Sequence, residues 1–122
     1  MLPASLATAC AVAGPYTHAG GSRIISYVAR VLHHVLDQGL DVQAAIARPN
    51  LVARAKNVEL EEGCGDPAWS AEQIAGLEAR GHEVIRRDLN SGLQGIQRVE
   101  EGWLGGVDPR REGLVIAVEP AP

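Results

Sequence analysis

The order of the local sequence patterns predicts an α/β layered fold of the α+β kind rather than a doubly wound sheet. One long segment has the periodicity of an amphipathic helix, and several short apolar runs have the length of strands. The helical segments come before most of the strand candidates, with one strand candidate ahead of them all. A chain of 122 residues has room for one domain or for a piece of one.

The first half of the chain predicts one strand and two helices. Residues 6–12 form a short apolar run that favours a buried strand. From Ser22 onwards, apolar residues recur on one helix face, and Gly39 follows them where a left-handed cap is expected. Asp41 then offers an N-cap for a short helix that ends before Pro49. The apolar positions of the long helix are Ile24, Ile25, Val28, Val31, Leu32, Val35 and Leu36.

The second half predicts one more helix among strands. Residues 57–61 alternate polar and apolar side chains, which favours a half-exposed strand. A capping box spans Ser70 to Gln73 and begins a helix that is expected to bury Ile74 and Leu77. The remaining strand candidates are residues 82–87, 93–99 and 114–118, with a turn-rich stretch at 102–111.

The composition is that of a globular chain with an aliphatic core. Apolar residues make up 46% and charged residues 21%, which argues against a disordered tail, and aromatic residues only 3%. The net charge is −4, so the chain lacks the excess of basic residues that binds nucleic acid or an anionic membrane, and neither partner is expected. No window approaches the roughly 18 apolar residues that span a bilayer. Residues 1–14 lack the basic start of a secretion signal.

Gly20 and Gly21 are the first candidate for a functional site. Two adjacent glycines before a helix leave consecutive backbone N–H groups unshielded by side chains. A helix N-terminus also has unsatisfied donors and a partial positive charge. The pattern therefore indicates a site for an anion or a developing oxyanion. From spacing alone, a glycine turn that lets a strand and a helix approach closely is the alternative.

The other polar motifs favour structural interpretations. His33 and His34 point in different directions from one helix, and the pair His33 and Asp37 lacks a third metal ligand, so we expect a solvated or partly packed helix face. His18 precedes the glycines and is expected to be a surface residue, with a position near an active site as the alternative. In the segment 108–110, Pro stiffens a turn that Asp and Arg are expected to tie to neighbouring loops.

No sequence motif points to a metal or cofactor. Cys10 and Cys64 form no disulfide framework and match no zinc spacing, so unpaired thiols are expected, with a single bridge as the alternative. The sequence has no P-loop, no dinucleotide fingerprint, no metal-ligand cluster and no locally supported Ser–His–Asp triad. We therefore expect neither a cofactor nor a metal ion.

Starting at Gly20-Gly-Ser-Arg-Ile-Ile25, a series of segments along nearly the whole chain resembles the γ-glutamyltranspeptidase family. The similarity is to the later part of the small, catalytic subunit of that family. Each motif is weak alone, but their combination and order are specific. The further matching segments are 31–37, Gly39, 41–46 with Pro49, 58–61, 77–84, 93–96 and 105–110.

The resemblance implies part of an αββα sandwich of the N-terminal-nucleophile hydrolase type. Such enzymes attack a γ-glutamyl amide, as in glutathione, with a Thr that autocatalytic cleavage has freed, and water or an amine then resolves the acyl-enzyme. Gly20 and Gly21 match the glycines that form the family's oxyanion hole. The family has Pro where this chain has Ala19, immediately before them.

The resemblance also implies that residues 1–122 are a C-terminal fragment that lacks the nucleophile strand. The nucleophile and the residues that hold the glutamyl group match nothing in this chain. We therefore expect a fragment that is inactive alone, whose partners are a γ-glutamyl substrate, the large subunit and the N-terminal part of the small subunit. Its uncovered apolar strands should favour aggregation. Family members are commonly periplasmic, secreted or at the cell surface, and the location of this chain stays open.

Two alternatives remain at this point. A related acylase with the same nucleophile would differ only in the residues of its substrate pocket. A non-catalytic interaction module would complement a separately encoded remainder of the fold.

Overall fold

The computed structural model describes residues 6–7 and 21–122, and in them the chain has a mixed α+β fold. This confirms the predicted fold class. In chain order the elements are β1 (Leu6–Ala7), a 3₁₀ turn (Gly21–Arg23), α1 (Ile24–Leu36), α2 (Val42–Ala47), β2 (Leu51–Ala53), β3 (Val58–Glu61), α3 (Ala71–Ala79), β4 (Val84–Arg87), β5 (Gln94–Val99) and β6 (Gly102–Val107).

The described strands form two small sheets of three strands each. The first has the order β1-β5-β6 and is antiparallel throughout, with Gly95 opposite Gly106. The second has the order β2-β3-β4, in which β2 runs antiparallel to β3 and β4 runs parallel to it. Helix α3 lies in the connection between the parallel pair, as such a crossover requires.

Helices α1 and α2 connect the two sheets through one hydrophobic core. Helix α1 contacts α2 and β2, whereas α2 contacts β5 and β6. This arrangement places the start of α1 beside the second sheet. The buried residues of the core are Tyr27, Val31, Val35, Val42, Ala45, Ile46, Val52, Leu89 and Leu93.

The helix ends lie where the sequence signals predict them. Gly39 follows α1 with a φ of +73°, a left-handed conformation that glycine adopts easily. Asp41 caps α2, because its side chain accepts a hydrogen bond from the backbone N–H of Ala44 at 2.8 Å. Ser70 and Gln73 form both hydrogen bonds of the predicted capping box. These three predictions are confirmed.

The predicted exposure of β3 and of α3 is wrong. All four residues of β3 are buried, including Glu59 and Glu61, because arginines from distant segments neutralise both carboxylates. Ile74 and Leu77 are only half-buried, since α3 contacts little besides β4.

Three strand assignments also differ from the prediction. Residues 102–107 form β6 rather than turns, and their glycines make room for a helix, since a Cβ on Gly106 would lie 3.2 Å from the Gln43 backbone. Residues 114–118 are irregular and exposed rather than a strand. The short strand β2 was not predicted. Of the strand predicted at 6–12, only Leu6–Ala7 lies within the described residues, and it is extended as β1.

No helix in the described parts of the chain combines the length and the apolar character that crossing a membrane requires.

Candidate functional site

Gly21 begins the 3₁₀ turn that leads into α1. It is exposed, with a φ of +36°, whereas Gly20 lies outside the described residues. No atom lies within 4 Å of the position that a Cβ on residue 21 would take. Close packing therefore does not require glycine here, but the positive φ favours it.

Among the described residues, no side chain caps the backbone donors at the start of α1. Arg23 occupies the N-cap position and makes no side-chain capping bond, and the first turn contains no acidic residue. The first N–H groups of a helix lack partners within the helix, and the helix dipole makes this end partly positive. This end of α1 is therefore suited to an anion.

Glu59, on β3, ties the 3₁₀ turn to the second sheet. Its carboxylate accepts hydrogen bonds from Arg23 Nη2 at 2.9 Å and from Arg54 Nε at 2.9 Å. Arg87 Nη1 lies 3.1 Å from the same carboxylate, and Arg54 Nη1 donates to Ser22 Oγ at 2.7 Å. We call these five residues the Glu59 cluster.

The Glu59 cluster has more positive than negative charge. The Glu59 side chain is 4% exposed, whereas the side chains of Arg23, Arg54 and Arg87 are 28%, 32% and 49% exposed. Burial by itself would raise the pKa of Glu59, but the hydrogen bonds from Arg23 and Arg54 outweigh burial and lower it. Glu59 is therefore ionised at neutral pH, and it offsets one of the three guanidinium charges.

A second buried network centres on Glu61. Arg110 donates from Nε to Glu61 Oε2 at 2.8 Å and from Nη1 to Asp108 Oδ1 at 3.0 Å. Asn50 Nδ2 donates to Glu61 Oε2 at 2.7 Å, and Ser91 Oγ donates to Asp108 Oδ2 at 2.6 Å. We call these five residues the Glu61 cluster. Its hydrogen bonds join β3 to the segment after β6, which is the structural tie predicted for residues 108–110.

The pKa values of two arginines at this second network, Arg110 and Arg30, are shifted in opposite directions. Burial alone would lower the pKa of Arg110, but the hydrogen bond to Glu61 and the charge of Asp108 raise it. Arg30 donates from Nε to Asn50 Oδ1 at 3.0 Å, and its burial, together with the charge of Arg110, lowers its pKa to about 10. Both guanidiniums are charged at neutral pH, and they bond to groups of the protein, so this cluster has a structural role.

His33 is exposed on α1 and His34 is half-buried, in agreement with the predicted solvated or partly packed helix face. His33 Nδ1 is 2.8 Å from Asp37 Oδ2, and the two side chains are 56% and 69% exposed. Burial lowers the pKa of His34, which lies within hydrogen-bonding distance of Gln38. His18 lies outside the described residues.

No metal site is present in residues 21–122 or in β1, where no group of three or more His, Cys, Asp or Glu side chains could hold an ion. Cys64 is a half-buried free thiol. Cys10 lies outside the described residues.

The sequence did not predict the Glu59 cluster. Glu59 alternates with apolar neighbours in the manner of a solvent-facing strand residue. Its partner Arg23 lies 36 residues away, and Ser22 lies 32 residues from Arg54. Contacts between such distant positions have no local sequence signal.

The fold of the chain is similar to that of several solved enzymes, among them γ-glutamyltranspeptidases. A mutant of the Helicobacter pylori enzyme matches with a TM-score of 0.69 and 20% identity, over 88% of this chain and 54% of that chain. A mutant enzyme from Pseudomonas nitroreducens matches with a TM-score of 0.70 and 21% identity, over 97% of this chain and 56% of that chain. The transpeptidase CapD of Bacillus anthracis matches with a TM-score of 0.67 and 17% identity, over 94% and 63%. The described part of the chain therefore has the fold of the matching regions of these solved enzymes.

The family follows from the sequence comparisons. The family model for γ-glutamyltranspeptidase matches residues 1–118. Glutathione hydrolase 7 of Rattus norvegicus is 32% identical over 91 residues, which cover 75% of this chain and 13% of that protein. The chain therefore belongs to the γ-glutamyltranspeptidase family, and it spans just over half the length of the matched H. pylori and P. nitroreducens chains.

Proposed function

We propose that this chain is part of a γ-glutamyltransferase or glutathione hydrolase, in which it supplies scaffold and the oxyanion-hole glycines Gly20 and Gly21. The match of the γ-glutamyltranspeptidase family model to residues 1–118 is the observation that carries this proposal. The name of the rat relative, a glutathione hydrolase, supports a γ-glutamyl donor such as glutathione.

The reaction is an acyl transfer through a covalent intermediate. A Thr hydroxyl, contributed from outside these 122 residues, attacks the γ-carbonyl carbon of the donor amide and loses its proton to the free α-amine of that Thr. The carbonyl oxygen takes the negative charge of the tetrahedral intermediate. When the intermediate collapses, the C–N bond breaks and the leaving amine takes up the proton. Water or an acceptor amine then attacks the γ-glutamyl ester and releases the Thr.

The geometry around Gly21 supports its proposed role in stabilising the oxyanion. The residue is exposed, no atom occupies the space that a Cβ would fill, and the start of α1 has no capping side chain among the described residues. Backbone N–H groups in such a position stabilise charge that develops on the carbonyl oxygen. Removing one such donor lowers kcat by about 10² to 10³.

We further infer that the isolated 122-residue chain is inactive, because the proposed nucleophile comes from another segment. Its partners are then the large subunit and the N-terminal part of the small subunit. The isolated chain should release no p-nitroaniline from γ-glutamyl-p-nitroanilide. The same chain, co-expressed with those two segments of a related γ-glutamyltranspeptidase, should restore release.

The variant Gly21→Ala tests the oxyanion role in the co-expressed enzyme. Gly39→Ala is the matched control, because both glycines are exposed, have positive φ, lie at opposite ends of α1 and have no atom within 4 Å of a Cβ position. Both changes impose similar backbone strain. We expect Gly21→Ala to lower kcat about tenfold or more, toward the loss of a whole donor, and Gly39→Ala to leave kcat nearly unchanged.

Equal effects of the two substitutions would contradict the oxyanion role. Turnover by the isolated chain that Gly21→Ala abolishes would contradict the inferred inactivity.

A further inference from the structure

The 3₁₀ turn Gly21–Arg23 is not held in place by burial of its own side chains. Gly21 and Ser22 are exposed, and Arg23 is only half-buried. Apart from its chain neighbours, no described atom lies within 4 Å of the position that a Cβ on residue 21 would take. Other contacts must therefore fix where the backbone N–H groups of this turn point.

Two side-chain links tie the turn to the second sheet. Arg23 Nη2 donates to both carboxylate oxygens of Glu59, at 3.2 and 2.9 Å. Arg54 Nη1 donates to Ser22 Oγ at 2.7 Å, while its Nε donates to Glu59 at 2.9 Å. Each link joins positions more than 30 residues apart in the sequence, which are 36 and 32 residues for the two. Both links end at one carboxylate.

Glu59 is well suited to anchor these links. It lies on β3, the central strand of the second sheet, and its side chain is 4% exposed. Arg87, on the neighbouring strand β4, holds the same carboxylate from another side at 3.1 Å and makes no hydrogen bond to the turn among the described residues. Charge-assisted hydrogen bonds from three guanidiniums leave the carboxylate little freedom to rotate.

We propose that Glu59 is a positioning residue for the backbone donors of the turn Gly21–Arg23, which it holds in place through Arg23 and Arg54. This proposal rests on the proposed oxyanion role of Gly21. Backbone N–H groups stabilise an oxyanion only at hydrogen-bonding distance from it. A displacement of about 1 Å can lower a rate about 10²-fold. An exposed glycine turn therefore needs support from side chains outside the site.

The kcat of the co-expressed enzyme for γ-glutamyl-p-nitroanilide tests this role. We expect kcat to fall about tenfold in Glu59→Gln and about fivefold in Arg54→Gln, with KM changed less than about twofold, because the donors act in the transition state. Arg87→Gln is the matched control, since it removes the same charge from another partner of Glu59 and leaves both links to the turn. It should change kcat less than about twofold.

The direction of the changes separates positioning from charge. Glu59→Gln removes a negative charge beside the turn, so charge alone would favour the oxyanion and raise kcat. Arg54→Gln removes a positive charge, so charge alone would lower kcat. Positioning lowers kcat in both variants.

A double variant separates positioning from loss of folded enzyme. In Gly21→Ala the donor is already displaced, so adding Glu59→Gln or Arg54→Gln should lower kcat by less than about twofold further. Loss of folded enzyme would instead lower the rate by the same factor with either residue at position 21.

Backbone ¹⁵N relaxation of the 122-residue chain, joined to a small solubility domain, measures the turn without turnover. The N–H order parameters of Ser22 and Arg23 should be about 0.85 in the unsubstituted chain and in Arg87→Gln. They should fall below about 0.6 in Glu59→Gln and Arg54→Gln. Tyr27, which is 2% exposed on α1, is the reference for folding and should stay rigid in all four chains.

Several results would overturn the proposal. They are a higher kcat in Glu59→Gln, equal losses of kcat in Arg54→Gln and Arg87→Gln, the same loss from Glu59→Gln with Gly or Ala at position 21, or a turn that stays rigid in Glu59→Gln. An inactive unsubstituted enzyme, with a turn that loosens in the variants as expected, would contradict the proposed reaction alone.

Discussion

Glu59 and Glu61 lie two positions apart on β3, and successive alternate residues of a strand share one face. This face is a buried layer of charge. Glu59 pairs with Arg23, Arg54 and Arg87, and Glu61 pairs with Arg110. Arg110 of the Glu61 cluster and the neighbouring Arg30 bond to protein groups, whereas the Glu59 cluster keeps excess charge. The difference between the two clusters is therefore one of charge balance.

The acid stability of the chain should depend on Glu59. Its pKa in the folded chain is lowered from the ordinary value of 4.5, because the hydrogen bonds from Arg23 and Arg54 outweigh the opposing effect of burial. The unfolded chain keeps the ordinary value, so the ionised form stabilises the fold above about pH 4.5. This stabilisation is lost as the pH falls through the lower, folded-state pKa.

Urea unfolding between pH 7 and pH 3, followed by circular dichroism, tests this expectation. The free energy of unfolding should fall more steeply below pH 4.5 in the unsubstituted chain than in Glu59→Gln. At pH 7 the substitution should cost about 2 kcal/mol, less than a fully buried pair, since the arginines stay partly solvated. Glu62→Gln, on an exposed neighbour, should keep the original acid profile. Parallel acid profiles for Glu59→Gln and the unsubstituted chain would contradict the assignment.

The alternation of polar and apolar residues correctly predicts the strand β3. The prediction that its polar face is exposed to solvent was wrong. Polar residues at every second position indicate two different faces, and they do not say what covers each face. Here the polar face contacts arginines from the 3₁₀ turn before α1, from the loop after β2 and from the segment after β6. The glycines proposed for the oxyanion hole differ, because two adjacent glycines before a helix are a local signal. The sequence could thus suggest Gly21 as a candidate, whereas it could not predict the Glu59 cluster.

At the scale of elements, helix ends were predictable and glycine-rich strands were not. Asp41 and Ser70 make their capping bonds within three residues, so their signals are contained in the local sequence. In β6, Gly105 and Gly106 suggested turns. They instead allow close contacts, with Val115 at 2.8 Å and the Gln43 backbone at 3.2 Å from the added Cβ positions. Only the tertiary contact of each strand shows why glycine is there.

The packing of α2 on β5 should require Gly95. A Cβ on this residue would lie 2.5 Å from Cγ2 of Val42, which is fully buried. Gly95→Ala should therefore destabilise the fold by about 1–3 kcal/mol through overpacking. The double variant Gly95→Ala with Val42→Ala should be less destabilised than the sum of its single changes, because the smaller residue makes room for the methyl group.

Denaturant unfolding of the four chains of this double-mutant cycle gives the coupling between the two positions. If the two changes in the free energy of unfolding were additive, Val42 on α2 would not be in steric contact with a methyl group at position 95. A coupling of about 1 kcal/mol or more in the compensating direction is expected for residues in direct contact.

At the scale of the whole molecule, α2 covers only one face of the first sheet. Gly95 and Gly106 pair across β5 and β6 and face α2, so the adjacent positions point to the opposite side. There Ile96 is 51% exposed and Trp103 is 67% exposed. In a layered fold a sheet face of this kind is buried against another layer. The matched solved chains are longer, and this chain covers 54% to 63% of them.

The apolar side chains Ile96 and Trp103, which are exposed on this sheet face, should limit the solubility of the isolated chain and contribute to its assembly with the proposed partner segments. Ile96→Glu should raise the concentration at which light scattering begins severalfold, because it interrupts an exposed apolar patch. Ile25→Glu is the matched control, since Ile25 is 78% exposed on α1 and the charge change is the same. It should raise this threshold only slightly. In the co-expressed enzyme, Ile96→Glu should reduce assembled, active protein while Ile25→Glu should not. If both variants raised solubility equally and assembled equally well, net charge rather than this sheet face would control association.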